Sequence, residues 1–285
     1  MTSKRLIALG VFVTILVAGS ATDLPRVTSA PSSTVLTADF HVHAAPGDGF
    51  LPVWEIQREA ERRGLDVVAI TNHNHDVATR LARLTGLVRP YPMIIDSQEL
   101  TTPGFHMAAV GVSRMIDWRL PALQAIDAIH AAGGIAIAAH PGDGSWQVKD
   151  ENALRAIDGI EVAHPSLFIE PGAEQAFRAL FDRVRGVNPT VAAIGSSDFH
   201  VGGVVAACRT YVFAQETSRE AVLDAIREGR TVATCPGGRV TGSEELVRTA
   251  SARINPEQPM RFGYGRSTWI ALTALMALGA VVLAR

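Results

Sequence analysis

Short apolar runs and amphipathic stretches alternate along this chain about seven times, and that alternation restricts its fold more than any other feature. The runs at 35–40, 65–70, 93–95, 106–112, 135–139, 157–162 and 191–194 are rich in Val, Ile and Ala and show little polar alternation. Such runs suit strands buried on both faces, as in parallel sheets. Between them, 52–63, 77–87, 120–132 and 173–184 carry helical spacing. Val53, Ile56 and Ala60 fall on one face, as do Leu123, Ile126 and Ile129. Gly64 and the pair Gly133–Gly134 end two of these helices. Further strands are predicted at 211–213 and 231–234, with a helix over 218–228 between them. The pattern predicts an α/β domain of parallel strands, and 285 residues suit an α/β barrel.

The predicted strands finish in side chains that bind metals. His41 and His43 follow the first run, and residues two apart on a strand point to one side. Asp48 lies in the loop after them. His73 follows the second run, Glu99 the third and His140 the fifth, while the fourth begins with His106. The seventh leads into Asp198 and His200. In a parallel barrel the C-terminal strand ends gather at one face, where the chemistry is placed. Six imidazoles and three carboxylates exceed the needs of one ion and suit two to three. Nitrogen and oxygen donors without thiolate fit Zn, Mn or Fe and disfavour Ca. His164 ends the sixth run and is a candidate for touching substrate. Arg209, with Arg80 and Arg114, is a candidate for adding charge beside a substrate anion. His75 is assigned to the site's surroundings or a loop, and His130 to a helix surface.

Five segments carry a family resemblance. They are ADFHVHAAPGDGF…ERRGLDVVAITNHNH, SQEL, FHMAAVGV, GGIAIAAHPG and GSSDFH, in that order within 34–238. Together they resemble the PHP (polymerase and histidinol phosphatase) domain family. The resemblance implies a distorted (β/α)7 barrel, TIM-like, with a trinuclear metal site. It implies one ion on His41, His43, Glu99 and Asp198. It implies a second on Glu99, His106 and His140, with Glu99 bridging, and a third on Asp48, His73 and His200. One departure is Asn72, where the family usually has Asp. If that Asp orients a ligand, its loss is expected to weaken metal binding here. The stretch RTYVFAQETSREAVLDAIREGRTVAT further resembles the family's exported carbaryl-hydrolase-like branch. The expected function is a metal-dependent hydrolase using a metal-bridging hydroxide, acting as a phosphoesterase on a small phosphate ester. The alternatives are an ester, amide or carbamate hydrolase of the same fold, and a membrane-tethered metal-binding module without catalysis.

The two ends of the chain are apolar. Lys4–Arg5, the run 6–18 and Gly19–Ser20–Ala21 have the order of a secretory signal, or of an uncleaved anchor, over 1–21. Residues 22–34 are predicted as a linker, 35–240 as the folded domain and 241–266 as a polar linker. Residues 267–284 are apolar and uncharged and, as a helix, would reach about 27 Å, close to a bilayer core of ~30 Å. They are predicted to span a membrane or to form a removable sorting signal. Lys4, Arg5 and Arg285 then lie on the cytoplasmic side and the domain faces the periplasm or outside. It would be secreted if both segments are removed. A net charge of −2 without a basic block gives no expectation of nucleic-acid binding. Cys208 and Cys235 are too few for a disulfide scaffold or a thiolate zinc site. They form either one disulfide in an oxidising compartment or two buried thiols.

Overall fold

The computed structural model describes residues 35–201, 203–237 and 240–251, together with Gly10. The predicted signal or anchor, the linker at 22–34 and the span at 267–284 lie outside the described residues. Among the described residues no helix is long and apolar enough to cross a membrane.

Seven strands form the barrel wall: β1 (Val35–Val42), β2 (Val67–Ile70), β3 (Met93–Thr101), β4 (His106–Val110), β5 (Ile135–Ala138), β6 (Gly159–Ala163) and β7 (Ala192–Gly195). Three more, β8 (Arg209–Phe213), β9 (Thr231–Thr234) and β10 (Val240–Gly242), continue the sheet from the other edge of β1. The sheet curls until its ends nearly meet. Val42 bridges Phe199, just past β7, and the His43 N–H donates to the Phe199 carbonyl at 2.9 Å. Side chains stitch the remaining seam. Thr210 Oγ1 bonds the Gly195 N–H and carbonyl at 2.8 Å each, and Thr231 Oγ1 donates to the Ala193 carbonyl at 2.8 Å. Gly195 allows this approach, because a Cβ there would lie 2.3 Å from the Arg209 carbonyl oxygen.

One strand departs from the parallel expectation. β4 runs antiparallel to both β3 and β5, whereas β1–β2–β3 and β5–β6–β7 pair in parallel. Only residues 102–105 join β3 to β4, and a parallel crossover needs a dozen or more. The reversal has a functional consequence. β4 begins at the rim where the other six end, so its first residue, His106, arrives there.

The helices are α1 (Val53–Arg62), α2 (Val77–Thr85), α3 (Ala122–Ala131), α4 (Glu151–Ala156), α5 (Ala173–Arg185), α6 (Arg219–Arg227) and α7 (Glu244–Ala250). Ile126 and Ile129 of α3, Leu154 of α4 and Phe181 of α5 pack on Met107, Ala136, Ala138 and Ile160 of the barrel's outer surface. Inside, Leu36, Ala38, Phe40, Ile95, Ile137 and Ile194 meet Leu223 and Ile226 of α6. Burying each such side chain stabilises the fold by roughly 1.5–3 kcal/mol. α6 covers the lower rim, where Arg227 donates to the carbonyls of Gly133 and Gly134.

Residues 241–251, predicted as the start of a polar linker, contribute a strand and a helix. β10 pairs with β9, and Leu246, Val247 and Ala250 of α7 pack with Val35, Tyr211 and Val232. The polar composition of 241–251 belongs to the solvent side of these two elements, and their apolar residues face the sheet.

Candidate metal centre

The pairing register of β1 with β2 shifts between Asp39 and Val42. Below the shift, Leu36 and Ala38 fill the barrel interior. Past it, His41 and His43 are fully buried above that core, with their Nε2 atoms 3.0 Å apart. Glu99 lies within β3, which continues past the run at 93–95. Its Oε2 is 3.4 Å from His41 Nε2, 3.5 Å from His43 Nε2 and 2.6 Å from His73 Nδ1. Its Oε1 is 3.0 Å from His106 Nδ1 and 3.3 Å from His140 Nε2. One carboxylate thus faces two sets of imidazoles, one with each oxygen.

The loop beyond β7 supplies Asp198, whose Oδ1 is 3.2 Å from His41 Nε2, 3.3 Å from His43 Nε2 and 3.4 Å from His200 Nδ1. Asp48 Oδ1 lies 3.1 Å from His43 Nδ1. Its Oδ2 lies 3.0 Å from His73 Nε2 and 3.2 Å from His200 Nε2. All nine candidates therefore converge. Their ligand atoms fall into His43/Asp48/His73/His200, His41/His43/Glu99, His41/His140/Asp198 and Glu99/His106/His140. The grouping around Glu99, His106 and His140 matches the family's pattern, and His43 joins the outer group of Asp48, His73 and His200.

These residues fit divalent cations. Both oxygens of Glu99, Oδ1 of Asp198 and Nδ1 of His106 are buried without a hydrogen-bond partner. Burying charged acceptors that way is costly unless a cation stands between them. Bonds of ~2.0–2.1 Å to a tetrahedral ion imply ligand separations of roughly 3.3–3.4 Å. His41 Nε2 lies at spacings of that order from both Glu99 Oε2 and Asp198 Oδ1.

Protons compete for the same positions. Burial pulls His41 down, but the Asp198, Glu161 and Glu99 carboxylates outweigh it and hold the imidazole well above its ordinary range. Burial pushes Glu99 and Asp198 up. His41 foremost, with His106 and His140 on Glu99 and His164 and His43 on Asp198, holds both carboxyls well below theirs. Metal binding displaces such protons. The backbone is also held away from its usual conformations here. His140 and Asp198 have φ of 24° and 46°, a region that costs a non-glycine residue on the order of 1–3 kcal/mol.

Two participants were not anticipated from the sequence. Glu161 of β6 is fully buried. It accepts from His41 Nδ1 at 2.9 Å, Ser196 Oγ at 2.5 Å and the His140 N–H at 2.6 Å. Burial opposes its ionisation, but His41 outweighs that and lowers its pKa to about 2. Asp39 accepts the backbone N–H groups of His41, Ser197 and Ala206 at 3.3, 3.0 and 2.8 Å, and burial raises its pKa to about 6. The available signal was an acidic residue inside an apolar run, at Thr37–Ala38–Asp39–Phe40 and at Gly159–Ile160–Glu161–Val162, that no turn explains.

The Asn72 side chain binds the loop carrying Asp48, and the residue's backbone carbonyl accepts the Glu99 N–H at 3.1 Å. Its Oδ1 accepts from the Ala44 N–H at 2.7 Å, and its Nδ2 donates to the Ala44 carbonyl at 2.7 Å and the Pro46 carbonyl at 3.2 Å. An ionised Asp has no donor for those two carbonyls, so the amide clamps this segment in a way the family's usual Asp could not. Gly49 packs against the same segment, where a Cβ would meet the His43 carbonyl at 2.1 Å.

Arg209 is a correction. Its guanidinium donates to the carbonyls of Arg63 and Ala206, both at 3.3 Å, and so reaches the lower rim, where Arg63 leads towards β2. β8 runs antiparallel to β1, which starts Arg209 partway down the wall. Arg80 pairs with Asp76 at the surface, at 2.7 Å. His130 is at the surface as expected, bonded to Asp158 at 2.7 Å. His164 does reach the centre, with its Nε2 3.7 Å from Asp198 Oδ2. Cys208 and Cys235 form a disulfide.

A nearly closed mixed barrel with a His/Asp/Glu cluster at one rim has the architecture of the PHP-like metal-dependent phosphoesterases. The structure is similar to that of a two-domain protein from Bacteroides vulgatus containing a predicted PHP-like metal-dependent phosphoesterase. That likeness has a TM-score of 0.57 at 26% identity, over 78% of this chain and 71% of the other. It also shares its fold with PsfC from Pseudomonas syringae PB-5123, at a TM-score of 0.50 and 15% identity, over 87% of this chain and 100% of that one. No family model matches the sequence, and no curated protein matches it. The barrel is thus of the PHP type, as the sequence motifs implied. Neither structure is described as a carbaryl hydrolase.

Proposed function

We propose that this protein is a metal-dependent hydrolase that acts as a phosphoesterase on a small phosphate ester. The observation that carries the proposal is the convergence on Glu99. Its two buried oxygens face five imidazoles from four strands or strand ends and have no hydrogen-bond partner. The likeness to the Bacteroides vulgatus protein supports phosphorus over carbonyl carbon as the electrophile.

His41, His43, Asp48, His73, Glu99, His106, His140, Asp198 and His200 would hold two to three ions of zinc, manganese or iron. When bound, such ions neutralise phosphoryl oxygens and acidify water towards neutral pH. The chain's own groups prepare the site. Glu161 accepts the Nδ1 proton of His41 and leaves the Nε2 lone pair facing the centre. Glu99 and Asp198 stay ionised at neutral pH. Asp39 ties the backbone of His41 to that of Ser197, beside Asp198, which keeps β1 and the β7 loop in register. The Cys208–Cys235 disulfide supports a location in an oxidising compartment. We place the barrel on the periplasmic or outer side, tethered where the terminal apolar segments are retained and secreted where they are removed.

The test is metal analysis of the full chain together with turnover of p-nitrophenyl phosphate, p-nitrophenyl acetate and a 1-naphthyl carbamate. The phosphate ester should turn over, activity should disappear with chelator, and added metal should restore it. His41→Ala and Asp198→Ala should lose the activity. Turnover confined to the acetate or carbamate would replace phosphorus with carbonyl carbon. Substoichiometric metal without turnover of any ester would favour a binding module.

A further inference from the structure

His41 and His164 both present Nε2 to the metal centre, but their far nitrogens meet opposite partners. His41 Nδ1 faces the Glu161 carboxylate, an acceptor, so the ring keeps a proton there and Nε2 is the nitrogen left for a metal. His164 Nδ1 faces the Ser166 backbone N–H at 3.1 Å, and a main-chain N–H can only donate. Nδ1 of His164 is therefore the acceptor, and the ring's hydrogen sits on Nε2.

We infer that His164 is a hydrogen-bond donor, through Nε2, that holds an oxygen of the bound phosphoryl group, and is not a tenth metal ligand. The identity of that acceptor rests on the phosphoesterase reading above. An imidazole nitrogen that carries hydrogen has no lone pair for a metal. His164 is 6% exposed, and its Nε2 is buried with no hydrogen-bond partner. The nearest candidate, Asp198 Oδ2, lies 3.7 Å away, beyond hydrogen-bond reach. The His140 ring lies 5.5 Å away, centroid to centroid. A buried donor without an acceptor costs free energy. Beside a cluster that binds phosphate, an anionic oxygen would remove that cost.

The ring is also fixed before anything binds. His164 caps the short turn Pro165–Phe168, and Ser166 Oγ lies 2.9 Å from the same Nδ1. Phe177 of α5 is buried and stacks on the imidazole at 6.0 Å with an interplanar angle of 26°. A Cβ at Gly142 would strike the Phe177 ring at 2.4 Å, so little room is left for the pair to turn. A donor held this way needs no reorganisation when the oxygen arrives.

Two variants separate the functions of the two nitrogens. His164→Asn keeps an acceptor for the Ser166 N–H and removes the Nε2 donor. His164→Gln places an amide N–H near the position of Nε2. The probes are p-nitrophenyl phosphate as substrate and inorganic phosphate as product inhibitor, with metal content measured on the same metal-loaded preparations. The Asn variant should raise KM and the inhibition constant for phosphate about tenfold, the effect of one lost hydrogen bond. Its metal content should be unchanged, and the Gln variant should recover most of the affinity. Metal loss in the Asn variant matching that of His140→Ala would make His164 a ligand or a support for Asp198 and overturn the inference. Unchanged KM and inhibition constant would overturn it as well. If the unaltered protein neither turns over the ester nor binds phosphate, the phosphoesterase reading falls and this inference with it. That failure is visible before any variant is compared.

Discussion

Nδ1 of His41 and Oε1 of Glu161 lie 2.9 Å apart, with both side chains essentially removed from solvent. The pair sets which His41 nitrogen is free for a metal. Glu161→Gln keeps the volume but removes the charge and offers His41 an amide in place of a carboxylate. Metal affinity is expected to fall roughly 10- to 100-fold, with the far-UV spectrum unchanged. Titrating zinc or manganese into the metal-free variant measures it. Equal affinity in variant and parent would remove Glu161 from the centre's support.

Asn72 bridges β2 to the Ala44–Pro46 segment through an amide that both donates and accepts. Asn72→Asp restores the residue usual in the family but leaves the Ala44 and Pro46 carbonyls facing a carboxylate. A loss of about 1–3 kcal/mol of stability is expected, read as a lower urea midpoint. Tighter metal binding with undiminished stability would show that charge at position 72 matters more than the clamp.

The Cys208–Cys235 disulfide closes a segment with a sequence separation of 27. Limiting the unfolded chain this way contributes about 3–4 kcal/mol in the chain-entropy account. The double variant Cys208→Ala/Cys235→Ala should melt about 10 °C lower, given roughly 2–4 °C per kcal/mol for a domain of this size. Calorimetry in the absence of reductant tests it, and an unchanged Tm would refute a structural role for the bridge.

His130 and Asp158 meet away from the metal centre. The hydrogen bond to Asp158 outweighs partial burial and raises the His130 pKa above its ordinary 6.5. A raised folded-state value makes the pair's contribution complete below about pH 6.5, and the contribution is lost as pH rises through the folded value. The stability difference between the parent and His130→Gln should therefore be largest below about pH 6.5 and shrink as the pH is raised above it. Urea midpoints on both sides of that pH, on metal-free protein, decide it. A difference that grows with pH would contradict the assignment.

Residues that act through local rules were legible before the fold was known. Val53, Ile56 and Ala60 mark the buried face of α1, and most of the nine candidate ligands stand close to where apolar runs begin or end. Glu161 and Asp39 were not legible in the same way. Each acts on a partner brought to it by the barrel, and His41 and Glu161 are 120 positions apart. Arg209 failed for a related reason. A guanidinium shows its charge in the sequence, but the direction of β8 decides which rim it reaches.

The order of apolar runs determined that strands and helices alternate, because burial of Val, Ile and Ala is a local property. The placement of His and carboxylate near their ends determined which side chains could be offered to a metal. Only the tertiary structure decided that β4 runs backwards, that Glu99 stands between two sets of imidazoles, and that His41 and His164 keep their protons on different nitrogens. Those outcomes depend on chain crossings and on partners far away in sequence, and neither leaves a periodic trace along the chain.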